Sequence, residues 1–291
     1  MACFGGSNNS ETTTIPSTGS KIRSAPVQGA IPFCSASASP LMSIDTEIIF
    51  YQYATPTTIE LFMIMEDGTG KTQITNHGVL TLRPRKTPNN RVIGISNMDG
   101  DFDVYIWEFS GDLPCRITNN TSLDGSPSIN TSNRAFYNGI LNSINGIDRD
   151  GSNHLLLIGD KSTNNGSPAA CGSKVAYTSN ISGSNQVYIM DTDGTNRTKL
   201  TNESGGVLSG LNCCPDGSKI VYSSSGGYVK TVDTGTSVVT QITTGKEGDF
   251  NPTCDEIVFI RSGELYKTTL AGVVTQLTSD GKQKGGPSWS Y

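Results

Sequence analysis

Cysteines, two histidines and three acidic loops carry the reactive or ligating groups of this chain. The seven cysteines are Cys3, Cys34, Cys115, Cys171, Cys213, Cys214 and Cys254. Cys171, Cys213 and Cys254 follow Pro168, Gly210 and Pro252 at nearly one offset, so adjacent strands would bring their sulfurs near each other. These three are the candidate disulfide residues. Spacing does not fix pairing and an odd number leaves one over, so buried free thiols are the other reading. A zinc site needs CxxC pairs or well-placed histidines, and neither exists. His77 and His154 stand far apart, and no Gly-x-Ser-x-Gly elbow supplies an activated serine. The expectation is therefore a protein without catalytic residues, metal or cofactor. Asp148–Gly151 and Asp191–Gly194 read as hairpin turns or as calcium loops, but lack the ligand set of an EF-hand. Asp99-Gly-Asp-Phe-Asp103 reads as a third acidic loop, solvated rather than metal-bound.

The elements that must position these groups come from composition and period. The chain has 291 residues, 33 glycines, 13 prolines, 16% charged residues and a net charge of −5. Arg83, Arg85 and Lys86 are the closest approach to a basic cluster, too short to follow a phosphate backbone, so nucleic acid is not an expected partner. No apolar run is long enough to span a bilayer, and no signal-peptide pattern is present. That leaves a cytoplasmic protein, or one whose export signal is absent from this sequence.

Six glycines, Gly68, Gly111, Gly151, Gly194, Gly235 and Gly272, close apolar runs such as LFMIMEDG and VYIMDTDG about 40 residues apart. Asp-Gly and Ser-Gly supply the positive φ of tight hairpins. A Leu/Ile-Thr pair follows most turns: Ile74-Thr75, Ile117-Thr118, Leu200-Thr201, Ile242-Thr243 and Leu277-Thr278. The third repeat has Leu157-Ile158 instead. Further runs, IIFYQ to IVFIR, precede each turn, and a short strand near Pro or Gly opens each repeat. Four strands per unit, repeated six times, predict an all-β six-bladed β-propeller of four antiparallel strands per blade, with an extended N-terminal tail.

CCPDGSKIVYSSSGGYVKTVDTG, the fourth repeat SPAACGSKVAYTSNISGSNQVYIMDTDGTNRTKLT and the terminal GGPSWSY resemble the TolB-type propeller repeat. The resemblance covers residues 39–291. It is weak in the third repeat, where INTSNRAFYN lacks the Pro-Asp-Gly turn. It implies a six-bladed disc, exported as a rule, that binds other proteins. The expected division is a Gly/Ser/Thr-rich tail over 1–38 and a propeller over 39–291.

Two segments compete for one place in the first blade: SPLMSIDTEIIF at 39–50 and GPSWSY at 286–291. Either the C-terminal strand closes the ring, or one strand pairs with another copy, and donation that does not close gives a filament. Candidate subunit-interaction residues are Ile22, Val27, Ile31 and Phe33 in the tail, and Pro40, Met42, Pro287 and Trp289 near the terminal strands. Composition predicts a disordered stretch over 4–20. Trp289 is expected between blades, and Trp107 in a core or as a partner anchor. Cys3 follows Ala2 before a Gly/Ser/Asn/Thr tract and resembles a lipidated lipoprotein cysteine. Met1 speaks for an ordinary cysteine. Asn120, Asn130, Asn180, Asn196 and Asn202 are glycosylation sequons where the host glycosylates. The expected role is an extracytoplasmic structural or protein-interaction scaffold, self-assembling by strand donation. The alternative is a monomeric periplasmic or surface lipoprotein that binds a protein, peptide or glycan on the propeller face.

Overall fold

The computed structural model describes residues 31–35, 47–107 and 114–289. The chain forms six four-stranded antiparallel sheets, each one blade with strands a to d running outward from the axis. Blade 1 takes strand a from the C-terminus, Lys284–Ser288, followed by Glu47–Thr55, Thr58–Met65 and Thr72–Gln73. Blade 2 is Thr81–Lys86, Val92–Ser96, Asp103–Trp107 and Cys115–Arg116. Blade 3 is Gly125–Ile129, Arg134–Asn138, Ile144–Asp148 and Leu155–Ile158. Blade 4 is Asn165–Cys171, Lys174–Ser179, Gln186–Asp191 and Thr198–Lys199. Blade 5 is Val207–Cys213, Lys219–Ser224, Tyr228–Asp233 and Val239–Thr244. Blade 6 is Lys246–Phe250, Glu256–Arg261, Glu264–Thr269 and Val274–Gln276.

The ring closes within the chain: Ile49 pairs with Ser288 and Gln52 with Lys284. The C-terminal segment thus holds the contested place. Pro40 and Met42 lie outside the described residues, as do Ile22, Val27, Cys3 and the 4–20 stretch.

Strands b and c have neighbours on both faces, so they read as nearly continuous apolar runs. VIGIS and DVYIW of blade 2 are buried throughout, while the d strands Thr72–Gln73 and Thr198–Lys199 are exposed. Each blade-to-blade junction holds one apolar cluster. Trp289, fully buried, joins Ile48, Phe50 and Phe62 of blade 1 to Val258, Ile260 and Leu265 of blade 6. Trp107 is buried at the junction of blades 1 and 2 with Ile49, Leu61 and Tyr105.

The Leu/Ile-Thr pair has a structural cause. In blade 1 Thr75 Oγ1 accepts the Leu61 amide at 2.9 Å and donates to Glu60 at 2.6 Å. Thr118, Thr201 and Thr278 repeat this with Asp103, Gln186 and Glu264. The hydroxyl continues the strand c–d ladder where the backbone leaves it. Four of the periodic glycines, Gly68, Gly151, Gly194 and Gly272, face the Leu or Ile of that place across the junction. Gly194 has φ +87°, and a Cβ there would stand 2.9 Å from the Leu157 carbonyl oxygen of blade 3. Gly194→Ala is expected to cost about 1–3 kcal/mol, from left-handed strain plus a backbone clash. Urea unfolding would measure it, and an unchanged midpoint would remove this account of the period.

Three disulfides are present among the described residues. Cys171–Cys213 joins blades 4 and 5 (Cα–Cα 5.2 Å), Cys214–Cys254 joins blades 5 and 6 (5.6 Å), and Cys34–Cys115 joins the tail to blade 2 (4.8 Å). Successive residues of a strand face opposite sides. Cys213 therefore faces blade 4, and the next residue, Cys214, faces blade 6, where it takes Cys254.

Candidate functional site

Strand a starts, and strands b and c are joined, on the same face of the disc. The b–c hairpins and the d-to-a crossings therefore share one side. This open face carries the mouth of the axial hollow. Its wall is built by a bulge repeated in every strand a, where the register slips and one residue adopts positive φ. These residues are Arg83, Ser126, Ser167, Gly210, Glu247 and Gly286, with φ between 46° and 72°. Four of them precede a proline, the Pro that opens those repeats.

The hollow has a volume of about 150 Å³ and is lined by Tyr51, Arg83, Arg85, Asn212 and Glu247 besides the bulges. Arg85 Nη2 reaches across the axis from blade 2 to donate to the Leu211 carbonyl of blade 5 at 2.7 Å. Glu247 accepts the Gly286 amide at 2.7 Å. Burial, then the nearby Glu247 charge, pushes the Tyr51 phenol up to about 12. Below Arg85 the strands are stitched blade to blade. Ser128 Oγ accepts the Ala170 amide, Ser288 Oγ accepts the Lys86 amide, and Asp249 accepts the Trp289 amide, at 2.8–2.9 Å.

Around the mouth the loops expose Leu123, Ile140, Leu141, Ile181 and Leu208. All belong to d-to-a crossings or b–c connections of blades 3 to 5, or to the start of a strand a, so they lie on the open face.

The tail docks elsewhere, on the outer rim. Phe33 forms a parallel bridge with Arg116, with Cys34 N donating to Arg116 O at 3.0 Å and Arg116 N to Pro32 O at 2.9 Å. The Arg116 guanidinium stands 4.9 Å from the Phe33 ring centroid, and Arg149 of blade 3 donates to Ser35 O at 3.0 Å. Ile31 packs against the cluster between blades 1 and 2. Residues 31–35 thus pair with the outer edge of blade 2 through one parallel bridge, locked by Cys34–Cys115.

Of the residues expected to meet another subunit, Ile31 and Phe33 contact this chain's own blades. Pro287 and Trp289 are buried in its own closure, so in this fold they are not available to a neighbour. Neither histidine meets a nucleophile: Trp107 Nε1 donates to His77 at 3.4 Å, and His154 lies 3.1 Å from the Tyr137 hydroxyl. Burial holds His77 below its ordinary range. The Asp-x-Asp-Gly stretches are hairpins. Asp150 and Asp193 accept the Ser152 and Thr195 amides, while Asp148 and Asp191 pair with Arg134 and Lys174. The acidic loop departs from expectation: Asp103 is fully buried, not solvated, because strand c starts inside the junction of blades 2 and 3. Burial, with the neighbouring aspartates, pushes its carboxyl up to about 7, and burial raises Asp124 to about 6.

The sequence reading missed Cys34, Cys115 and Cys214 as disulfide partners, and Arg85 as the group that closes the axis. For Cys214 the signal was its adjacency to Cys213, which ends strand a of blade 5. For Cys34–Cys115, 81 residues apart, no local signal exists.

No family model matches the sequence, and no curated protein matches it. Solved structures do. TolB from Acinetobacter baumannii aligns with 84% of this chain and 67% of its own at 20% identity, TM-score 0.73. A chain of a nidogen/laminin complex aligns over 83% and 97% at 11% identity, TM-score 0.63. An oligogalacturonate lyase in complex with manganese aligns over 80% and 73% at 14% identity, TM-score 0.56. The last corrects the expectation that the chain is no enzyme. A lyase is built on a similar fold, so the architecture does not exclude catalysis. At these identities the likeness shows the fold alone: the chain is a six-bladed β-propeller similar to that of TolB.

Proposed function

We propose that the protein is an extracytoplasmic interaction scaffold that engages a protein partner through its open face. The observation that carries this is the set of exposed apolar side chains, Leu123, Ile140, Leu141, Ile181 and Leu208, on the face that also bears the polar axial mouth. Contiguous apolar surface rimmed by polar groups marks recognition sites, and Ile140 and Leu141 are adjacent in one connection here. The similar propellers include TolB and a chain solved in a nidogen/laminin complex, which supports a protein as the ligand. Three disulfides support an oxidising compartment. Among the described residues no helix is long and apolar enough to cross a membrane.

The test is capture from a cell-envelope fraction with the wild type and two double variants. Ile140→Asp/Ile181→Asp on the open face should lose the partner at least tenfold. Val238→Asp/Val273→Asp on the opposite face should retain it. Equal retention by both variants would remove the open face from the reading.

Self-assembly is supported by a different feature. The outer edge of blade 2 accepts residues 31–35 as an added strand, and the same edge of one copy offers that place to the tail of another. In that arrangement Cys34 and Cys115 bond between copies. Non-reducing electrophoresis of denatured protein should then give a ladder that collapses on reduction and is abolished by Cys34→Ala. A single monomer band would exclude the linked form.

A further inference from the structure

Four blades open strand c with an acid or amide that accepts the hydroxyl of the Leu/Ile-Thr pair, and three of the four satisfy it fully. Glu60 accepts the Gly78 amide at 2.7 Å with its second oxygen, and Glu264 accepts the Gly281 amide at 2.7 Å. The Gln186 carbonyl oxygen accepts the Glu203 amide at 2.8 Å. Blade 2 differs. Asp103 Oδ1 takes the Thr118 hydroxyl at 2.8 Å, but Oδ2 is buried with no hydrogen-bond partner among the described residues. Aspartate is one carbon shorter than glutamate and falls short of the loop amide that satisfies its counterparts. Instead it meets more carboxylates. Oxygens of Asp99, Asp101 and Asp103 all lie within 4.8 Å of one another, and Asp101 Oδ2 is likewise buried without a partner. Asp124 stands behind them, held by Asn120 at 2.9 Å.

Two buried carboxylate oxygens without donors, close to a third acid, are costly while charged, and a bound cation relieves that cost as protonation of Asp103 does. Arg116 does not fill that role: its Nη1 stands 3.6 Å from Asp99, at one side of the group. We propose that Asp99, Asp101 and Asp103 bind one Ca²⁺ at the top of the junction between blades 2 and 3. All three donors are hard oxygens, as this ion prefers. They come from residues 99–103 of one b–c hairpin, so a single turn of chain brings all three together. The three oxygens lie within 4.8 Å of one another, close enough for one ion to reach all of them, and Ca²⁺ accepts the longer and less regular contacts of such a set better than Mg²⁺, which demands ~2.1 Å. Water on the solvent side, where Asp99 is exposed, completes the shell. The bound ion would pin the b–c hairpin of blade 2 at the open face, near Leu123.

The test uses the full chain, stripped with EDTA and exchanged into chelator-free buffer. Calorimetric titration with CaCl2 should give one ion per chain, and Ca²⁺ should raise the thermal midpoint. Asp101→Asn, with Asp99→Asn as a second variant at a more exposed position, should weaken binding at least tenfold while keeping the wild-type circular dichroism. Asp193→Asn, in a hairpin turn of blade 4, should bind as the wild type does. The proposal is overturned by wild-type protein that takes up no Ca²⁺ at about 1 mM, the weak end of protein calcium sites. It is equally overturned by tighter binding of MgCl2 than CaCl2, or by folded Asp101→Asn and Asp99→Asn variants with unaltered affinity.

Discussion

A chain ending at Gln283 is expected to have no stable folded monomer. The missing segment supplies the whole inner strand of blade 1 through Lys284–Ser288. It also supplies Trp289, whose amide bonds Asp249 at 2.9 Å and whose ring is shared by blades 6 and 1. Loss of the indole alone, as in Trp289→Ala, should cost about 3–5 kcal/mol. Loss of the strand adds an unpaired edge along Glu47–Thr55 and a gap beside the axis. The sum reaches the ~5–15 kcal/mol that holds a typical domain together. Size-exclusion chromatography and circular dichroism should find the truncated chain aggregated or unfolded, whereas Trp289→Ala folds with a lowered midpoint. A synthetic peptide of residues 284–291 should restore part of the native signal in trans, since the vacated site is an ordinary strand edge. A truncated chain that stays monomeric, with a cooperative melt, would show that the ring does not need this strand.

The second large effect is expected from Cys171→Ala/Cys213→Ala. The bond closes a loop of 42 residues and staples the inner strands of blades 4 and 5. Restricting the unfolded chain by a loop of that length stabilises by about 4 kcal/mol in the chain-entropy picture. Both positions are buried in the cluster with Ala169, Leu211 and Tyr222, so alanine is the better replacement: a serine would bury an unpaired hydroxyl. Denaturant titration of the double variant should show most of that loss with an unchanged native spectrum. A shift under about 1 kcal/mol would mean that the unfolded chain is already restrained without this bond.

Much of the architecture was readable because each repeat states its chemistry locally. The glycine hairpins, the Leu/Ile-Thr pair and the strand runs are all short-range signals, and each has a counterpart in a hydrogen bond or a junction contact. The extra strand at the C-terminus was legible as a repeat start with no blade to follow, although its partner was not. What could not be read depends on which side a residue faces or on docking across long separations. Cys213 and Cys214 differ only in facing opposite neighbours, and the choice of Cys254's partner turns on that. Cys34 meets Cys115 because the tail lies along a rim edge that does not exist until blade 2 has folded. Asp103 looked like one acid in a polar loop because its burial comes from the adjoining blade. Arg85 reads as one of three basic residues in a row, and only the ring geometry sets it opposite Leu211.

The guanidinium of Arg85 gives the disc a floor. It divides the axis into a wider cup on the open side and a smaller hollow beneath, which Arg85 also lines. A space of about 150 Å³ holds on the order of five water molecules, or the tip of one inserted side chain. Anything larger is read chiefly by the surrounding loops, and the cup adds a check on one protruding group.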